Sequence, residues 1–208
     1  VYKRQVLENN AFPLQIKGVS TNNSISKAME MVRLVSLDGR ENYFPRELSG
    51  GQQQRVGIAR ALILHPRYVM ADDPVSMIDS SSRAELLYLI QELQKLFSIT
   101  VLYVTHDIAS ARHFSNNIAV MYLGGIVESG ASAEVVEHPL HPYTKALMSA
   151  ALPSHPDMEQ EEIILQGEVP SPLNPPAGCY FHPRCPAAMD HCSVDKPETK
   201  EISPGHTV

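Results

Sequence analysis

Between Ser24 and Leu37 apolar side chains recur at Ile25, Ala28, Met29, Met31, Val32 and Val35, the spacing that lines one side of an α-helix. A second helix is predicted to start after Ser49, where Ser49 as N-cap and Gln52 three residues on match a capping box. Tyr68 to Ala71 reads as a short buried strand and Ile99 to Val104 as another. The piece between them, Ser80 to Phe97, has helical periodicity through Leu86, Leu87, Ile90, Leu93, Leu96 and Phe97, with Ser82 and Glu85 as a capping box. A strand, a long crossover and a strand make a parallel pair. Farther on, Asn117 to Leu123 and Gly125 to Gly130, joined at Gly124-Gly125, read as a hairpin, followed by helices near Ser132 to Glu137 and Pro142 to Ala151. The class is α/β with antiparallel strands added late.

Composition divides this pattern. Ten of the sixteen prolines and all three cysteines lie in the last 56 residues, Pro153 to Val208, where periodicity fades. The expected organisation is therefore a core over 1–152, helical to about residue 64 and strand-bearing over 65–130, with an extension over 153–208. The net charge of −6 comes without a clustered Lys/Arg stripe, which argues against a nucleic-acid partner. No apolar run approaches the ~18 residues of a membrane span, so a membrane role would be peripheral. Nothing reads as an export signal. An odd number of late cysteines fits metal or thiol chemistry in a reducing compartment better than a disulfide framework.

Parallel strands end on one sheet edge, and here the first ends in Asp72-Asp73 and the second in Thr105-His106-Asp107. Open α/β sheets place ligands at that edge. In a phosphate-transfer site one Asp would hold Mg²⁺ through its water shell, another would orient or deprotonate the attacking water, and the His would bond the terminal phosphate. Taken singly, such pairs are ordinary polar strand ends. The Ser49 turn adds a second candidate. Glycines at Gly50 and Gly51 clear side chains from the amide end of the helix, where an anion can approach the backbone. Cys179, Cys185 and Cys192, in a Pro-rich loop near His182 and His191, form a soft-ligand cluster suited to Zn²⁺ or an iron–sulfur cluster. His155, His182 and His191 are expected to be solvated rather than ligating, and His141-Pro142-Tyr143 reads as a Pro-initiated helix start.

Three ordered stretches, LSGGQQQR (Leu48 to Arg55), RYVMADDPVSMID (Arg67 to Asp79) and YVTHD (Tyr103 to Asp107), resemble the ATP-binding subunits of ABC transporters. The resemblance covers about the first 150 residues. It implies that Ser49, Gly50, Gly51 and Gln52 are the signature, which meets ATP held by an opposite subunit. It further implies that Asp72 is the Walker B aspartate on Mg²⁺, that Ser76 to Asp79 is the D-loop, and that His106 is the switch histidine. The tail, HPYTKALMSAALPS (His141 to Ser154) and GEVPSPLNPPAGCYFHPRCPAAMDHC (Gly167 to Cys192), resembles that of oligopeptide, dipeptide and nickel importers. There the three cysteines imply a [4Fe-4S] cluster, Zn²⁺ being the alternative, with a fourth cysteine after a Gly-His segment. Here that segment, Gly205-His206, is followed only by Thr207 and Val208.

Two departures stand out. Asp73 occupies the place of the family's glutamate and is one methylene shorter, so a slowed or asymmetric site is expected. No G-x-x-x-x-G-K-[ST] phosphate loop occurs among the eleven glycines. The simplest expectation is a sequence lacking the N-terminal part of the cassette, and a cassette that has lost its own loop is the alternative; neither hydrolyses ATP unaided. The resemblance implies an ATPase that couples ATP and Mg²⁺ to import of peptides or a related small solute. Its partners would be a second ATP-binding subunit, two transmembrane permeases and, indirectly, an extracytoplasmic binding protein, at the cytoplasmic face of the membrane. A weak or regulatory cassette beside an active sister, or a soluble non-transport ATPase, are the other expectations.

Overall fold

The computed structural model describes residues 4–76, 78–150 and 162–208. The helix end at Ala151, the division at Pro153 and His155 lie outside them. The chain forms two compact units, 1–106 and 107–208.

The first unit begins with three helices, α1 (Val6–Ile16), α2 (Thr21–Leu34) and α3 (Gly50–Leu62). The helix α1 is absent from the sequence reading because its buried face is partly polar. Asn9 and Asn10 lie inside it, and their amides donate back to the carbonyls of Arg4, Gln5 and Val6. Pro13 interrupts its pattern further. Loop carbonyls of Glu41 and Tyr43 take the Leu7 and Val6 amides, so the helix start is satisfied in part by distant chain, while Glu8 accepts the Gln5 amide locally at 3.1 Å. In α2 the inward row is Ser24, Ala28, Met31, Val32 and then Val35; Ile25, expected on it, is exposed.

Beyond α3 come β1 (Tyr68–Asp72), α4 (Ser80–Phe97) and β2 (Thr100–Val104), the two strands parallel and in register from Tyr68 opposite Thr100 to Asp72 opposite Val104. The predicted span of α4 holds, but its cap is Asp79, whose carboxylate accepts the Ser82 amide at 3.0 Å, and not Ser82 with Glu85. Leu96, assigned to the buried stripe, is exposed, and Leu89 takes a buried place instead. The strands are not the buried pair expected. One face is covered and the other is bare, with Tyr68 74% and Met70 71% exposed and Leu102 and Val104 beside them.

In the second unit α5 (Ile108–Phe114) precedes the hairpin β3 (Asn117–Tyr122) and β4 (Gly125–Ala131), then α6 (Ser132–Glu137) and α7 (Pro142–Ala150). The hairpin turns at Leu123-Gly124, one residue earlier than expected, with φ of +47° and +80°. Such positive angles suit a two-residue turn whose twist matches the strands. Ala111, Ile118, Val120 and Val135 form the core of this unit. After short helical turns at His182–Arg184 and Asp190–Ser193, the strands β5 (Glu201–Ser203) and β6 (His206–Thr207) complete a sheet of order β3-β4-β6-β5. The late antiparallel strands thus include a pair that periodicity did not reveal.

Candidate functional site

The C-terminal edge of the parallel pair brings Asp73 and His106 together. The Asp73 amide donates to the Val104 carbonyl at 2.8 Å, which fastens the chain leaving β1 to the end of β2. Asp73 then adopts φ +44°, a left-handed conformation that a non-glycine residue holds at a cost of order 1–2 kcal/mol. That turn presents Oδ2 to His106 Nδ1 at 3.0 Å. An ionised carboxylate only accepts, so Nδ1 carries the proton and Nε2 is left as the other face of the ring. The His106 side chain is 76% exposed. Asp73 Oδ1 is buried and makes no hydrogen bond. The Ser76 amide and hydroxyl both donate to the Asp73 carbonyl, at 3.2 and 3.0 Å, closing a tight loop. Asp72 is exposed on the same edge. Among the described residues no three His, Cys, Asp or Glu side chains converge here, and Asp72 offers a single exposed carboxylate, which is what a Mg²⁺ that keeps most of its water shell takes.

Ser49 and Gln52 make the predicted reciprocal cap: the Gln52 amide donates to Ser49 Oγ at 3.3 Å and the Ser49 amide to Gln52 Oε1 at 3.1 Å. Leu48, buried, anchors the turn from below, and Ser49 and Gly50 are exposed. The first-turn amides of Gly50 and Gly51 have no intrahelical acceptor, so they face whatever approaches the helix end. A Cβ placed on Gly51 would lie 3.9 Å from Ile78 Cγ2 and from Ser82 Cβ, so this turn sits on the start of α4. Among the described residues no hydrogen bond joins Ser49–Gln52 to Asp72, Asp73 or His106. Asp79, placed by resemblance in the D-loop, has a structural task as the cap of α4.

The cysteines come close without converging. The Cys179 amide donates to the Cys192 carbonyl at 2.9 Å, and Gly178, at φ +65°, lies against the same carbonyl. Burial pushes the Cys185 thiol up, and the neighbouring Cys179 and Cys192 push it further. All three are unpaired thiols. Yet among the described residues no three His, Cys, Asp or Glu side chains are placed to hold a metal ion. The donors are the right chemistry for a thiolate site, and in this arrangement they do not close one. His182 bonds the Cys179 carbonyl through Nδ1 at 2.9 Å instead of pointing to a shared centre.

Sequence reasoning missed Glu128. Its side chain is wholly buried; Oε1 accepts from the Leu140 amide at 2.9 Å and His206 Nε2 at 2.8 Å, and Oε2 from the His141 amide at 2.8 Å. Burial pushes its carboxyl upward, but the Leu140 amide, the nearby Thr144 hydroxyl, the His141 amide and His206 outweigh it, so the group is held below its usual range. His141 is driven toward neutrality by burial, against the pull of Glu128, and its Nδ1 accepts the Tyr143 amide at 3.1 Å. Phe181 packs against Tyr122, Tyr143 and His141 with ring centroids 5.1 to 5.5 Å apart. The His141-Pro142-Tyr143 segment is therefore more than a helix start. A lone acid between glycines in GIVESG carries no local sign of such a role.

No helix among the described residues is long and apolar enough to cross a membrane. Comparison with known proteins matches residues 2–76 to the ABC transporter family and residues 127–192 to the oligopeptide/dipeptide transporter C-terminal region. A putative oligopeptide transport ATP-binding protein of Bacillus subtilis, YkfD, is 47% identical over 167 residues, 79% of this chain and 51% of its own. The oligopeptide transport ATP-binding protein OppF of Salmonella typhimurium is 48% identical over 173 residues, 82% of this chain and 52% of its own. A putative peptide import ATP-binding protein of Brucella ovis is 42% identical over 197 residues, 93% and 62%. The chain thus spans between about half and three-fifths of the length of these curated relatives. Residues 2–76 thus carry the ABC transporter match and residues 127–192 that of the oligopeptide/dipeptide transporter C-terminal region, and the relatives the chain resembles bear the names of ATP-binding proteins of oligopeptide or peptide transport.

Proposed function

We propose that the protein couples ATP binding and hydrolysis to peptide import, and that this chain supplies one side of each of two composite nucleotide sites. The observation that carries this reading is the 3.0 Å pair of Asp73 and His106 at the strand edge, beside exposed Asp72. When bound, Mg²⁺ supplies charge neutralisation at the phosphates, with Asp72 as its holder through water. Asp73 keeps His106 in the tautomer whose Nε2 meets a terminal phosphate and orients the attacking water. Ser49 and the Gly50 and Gly51 amides meet ATP bound on an opposite ATP-binding subunit. Gln52, by bonding the Ser49 amide, holds that turn open toward it. Ser76 braces the Asp73 loop and Asp79 sets the helix that follows. Two transmembrane permeases and, indirectly, an extracytoplasmic binding protein would complete the assembly, with this chain peripheral at the cytoplasmic face.

A weak or regulatory cassette beside an active sister is favoured by one observation. Asp73 Oδ2 is taken by His106 and Oδ1 is shut away from solvent, which leaves the short side chain little reach toward a water. General-base assistance contributes roughly 10²- to 10⁴-fold in rate. In the natural protein, assembled with its sister subunit and permeases in vesicles, Asp73→Glu is therefore expected to raise ATP turnover at least about tenfold. An unchanged or lower rate would discard the weakened site, and absence of peptide-stimulated ATP turnover in the wild-type assembly would discard the import reading. We also propose the iron–sulfur cluster on Cys179, Cys185 and Cys192, with a fourth donor from outside these three thiols. Iron and sulfide analysis with a visible spectrum decides it; colourless protein holding stoichiometric zinc would assign Zn²⁺ instead.

A further inference from the structure

We propose that Arg55 is a positioning residue that clamps α3 to its two neighbours, so that the turn Ser49–Gln52 and the start of α4 keep a fixed spacing. The argument begins at the end of α2. Ser36 there takes φ +57°, and the Leu37 and Ser36 amides return to the Val32 and Arg33 carbonyls at 3.0 and 2.9 Å. This Schellman closure satisfies two terminal carbonyls and leaves that of Val35, a residue with no solvent exposure. Arg55 reaches across from α3 and donates Nη1 to it at 3.2 Å. A cation at a helix C-terminus also meets the negative end of the dipole.

The same guanidinium turns its other arm to α4, with Nη2 3.6 Å from Glu85 Oε2. The two contacts differ in kind. The Arg55 side chain is only 18% exposed, whereas that of Glu85 is 71% exposed, so water screens the ion pair and the carbonyl bond carries more of the constraint. Gly51 stands four residues before Arg55 on α3, and it rests on Ile78 and Ser82 at the start of α4. Ser82 in turn stands three residues before Glu85. The helices α3 and α4 are thus joined by two rungs one turn apart, a glycine contact at the ends that bear Ser49 and Asp79 and an arginine bridge behind it. Arg55 ties the second rung to α2.

This spacing matters to nucleotide chemistry only if the proposed function holds, but it can be measured without it. Hydrogen exchange on the natural protein is expected to speed about tenfold or more at both the Gly50–Gln53 and Ile78–Ser82 amides in Arg55→Met, because one clamp releases both. Glu85→Gln, which removes the charge but keeps an acceptor for Nη2, is expected to speed the Ile78–Ser82 amides only about twofold and to leave Gly50–Gln53 close to wild type. Arg55→Lys, a point charge able to reach one partner, should fall between them, and it carries the comparison if Arg55→Met does not fold. Faster exchange confined to the end of α2, or to one of the two segments, would overturn the proposal and leave Arg55 as a local helix cap. In the assembled ATPase the apparent KM for ATP is expected to rise about tenfold in Arg55→Met with kcat changed far less, and to recover in part in Arg55→Lys. An equal fall in kcat without a KM change would also count against it. A wild-type assembly without ATPase would remove the functional reading while the exchange result stands by itself.

Discussion

Asp79 illustrates how a residue assigned to nucleotide chemistry by its motif can also hold the fold. Its Oδ2 accepts the Ser82 amide at 3.0 Å, one of the donors that a helix start leaves unpaired. Loss of such a cap costs about 1 kcal/mol, and asparagine caps as well as aspartate. Asp79→Ala is therefore expected to lower stability by about 1 kcal/mol in denaturant unfolding while Asp79→Asn does not. If ATP turnover then falls in both variants alike, the carboxylate has a role beyond the cap; if only Asp79→Ala loses activity, capping is its contribution. Such double duty explains why the motif residues were legible in the sequence and their partners were not. Ser49 and Gln52 lie three residues apart, so their reciprocal bonds could be read from spacing. Glu128 and His206 are 78 residues apart, and nothing near either announces the other.

Elements follow the same division between local and distant causes. The helix α3 was readable from its cap and α4 from its apolar row, although α4 is capped by Asp79 and not by Ser82 with Glu85. The helix α1 was not, since its inward face holds two asparagines satisfied by backbone carbonyls of its own first turn and of the two residues before it. The seven-residue α5 is too short to establish a period. At the cysteine segment the controlling element is a glycine. A Cβ on Gly178 would stand 2.4 Å from the Cys192 carbonyl oxygen, closer than any relaxed contact, on a backbone with φ +65°. Gly178→Ala is expected to separate the Cys179 and Cys192 turns, to cost about 2–4 kcal/mol, and to speed alkylation of Cys185 severalfold in thiol-labelling assays. Unaltered labelling and stability would show that the turns are held by something other than this close approach.

At the scale of the whole molecule the two units are expected to differ in their response to acid. Burial lowers the pKa of His141 from its ordinary 6.5, and the Glu128 carboxyl lies below its ordinary 4.5 despite burial, because its donors prevail. In both cases the unfolded chain binds protons more readily than the folded one. Stability from His141 is therefore full above about pH 6.5 and lost below it, and that from Glu128 is full above about pH 4.5 and lost as pH falls through its folded value. Hydrogen exchange followed from pH 7 downward should show β4 and the start of α7 loosening before α2 and α3. Uniform loosening would mean that this buried node does not set the acid limit. The bare face of the strands β1 and β2 has a different meaning. Parallel strands are ordinarily covered on both sides, and Tyr68, Met70, Leu102 and Val104 match the near-continuous apolar runs of such strands. From sequence alone they looked buried, since the composition of a strand records the covering it is made for.

The node at Glu128 also sets an order of events during synthesis. The strand β6 enters the sheet between β4 and β5, and its His206 fills the last position around a carboxylate placed 78 residues earlier. While the ribosome is still making the intervening chain, Glu128 has no imidazole to meet and β4 has an open edge. A nascent chain in that condition presents an unpaired strand edge, and closure of the second unit waits on translation through residue 206.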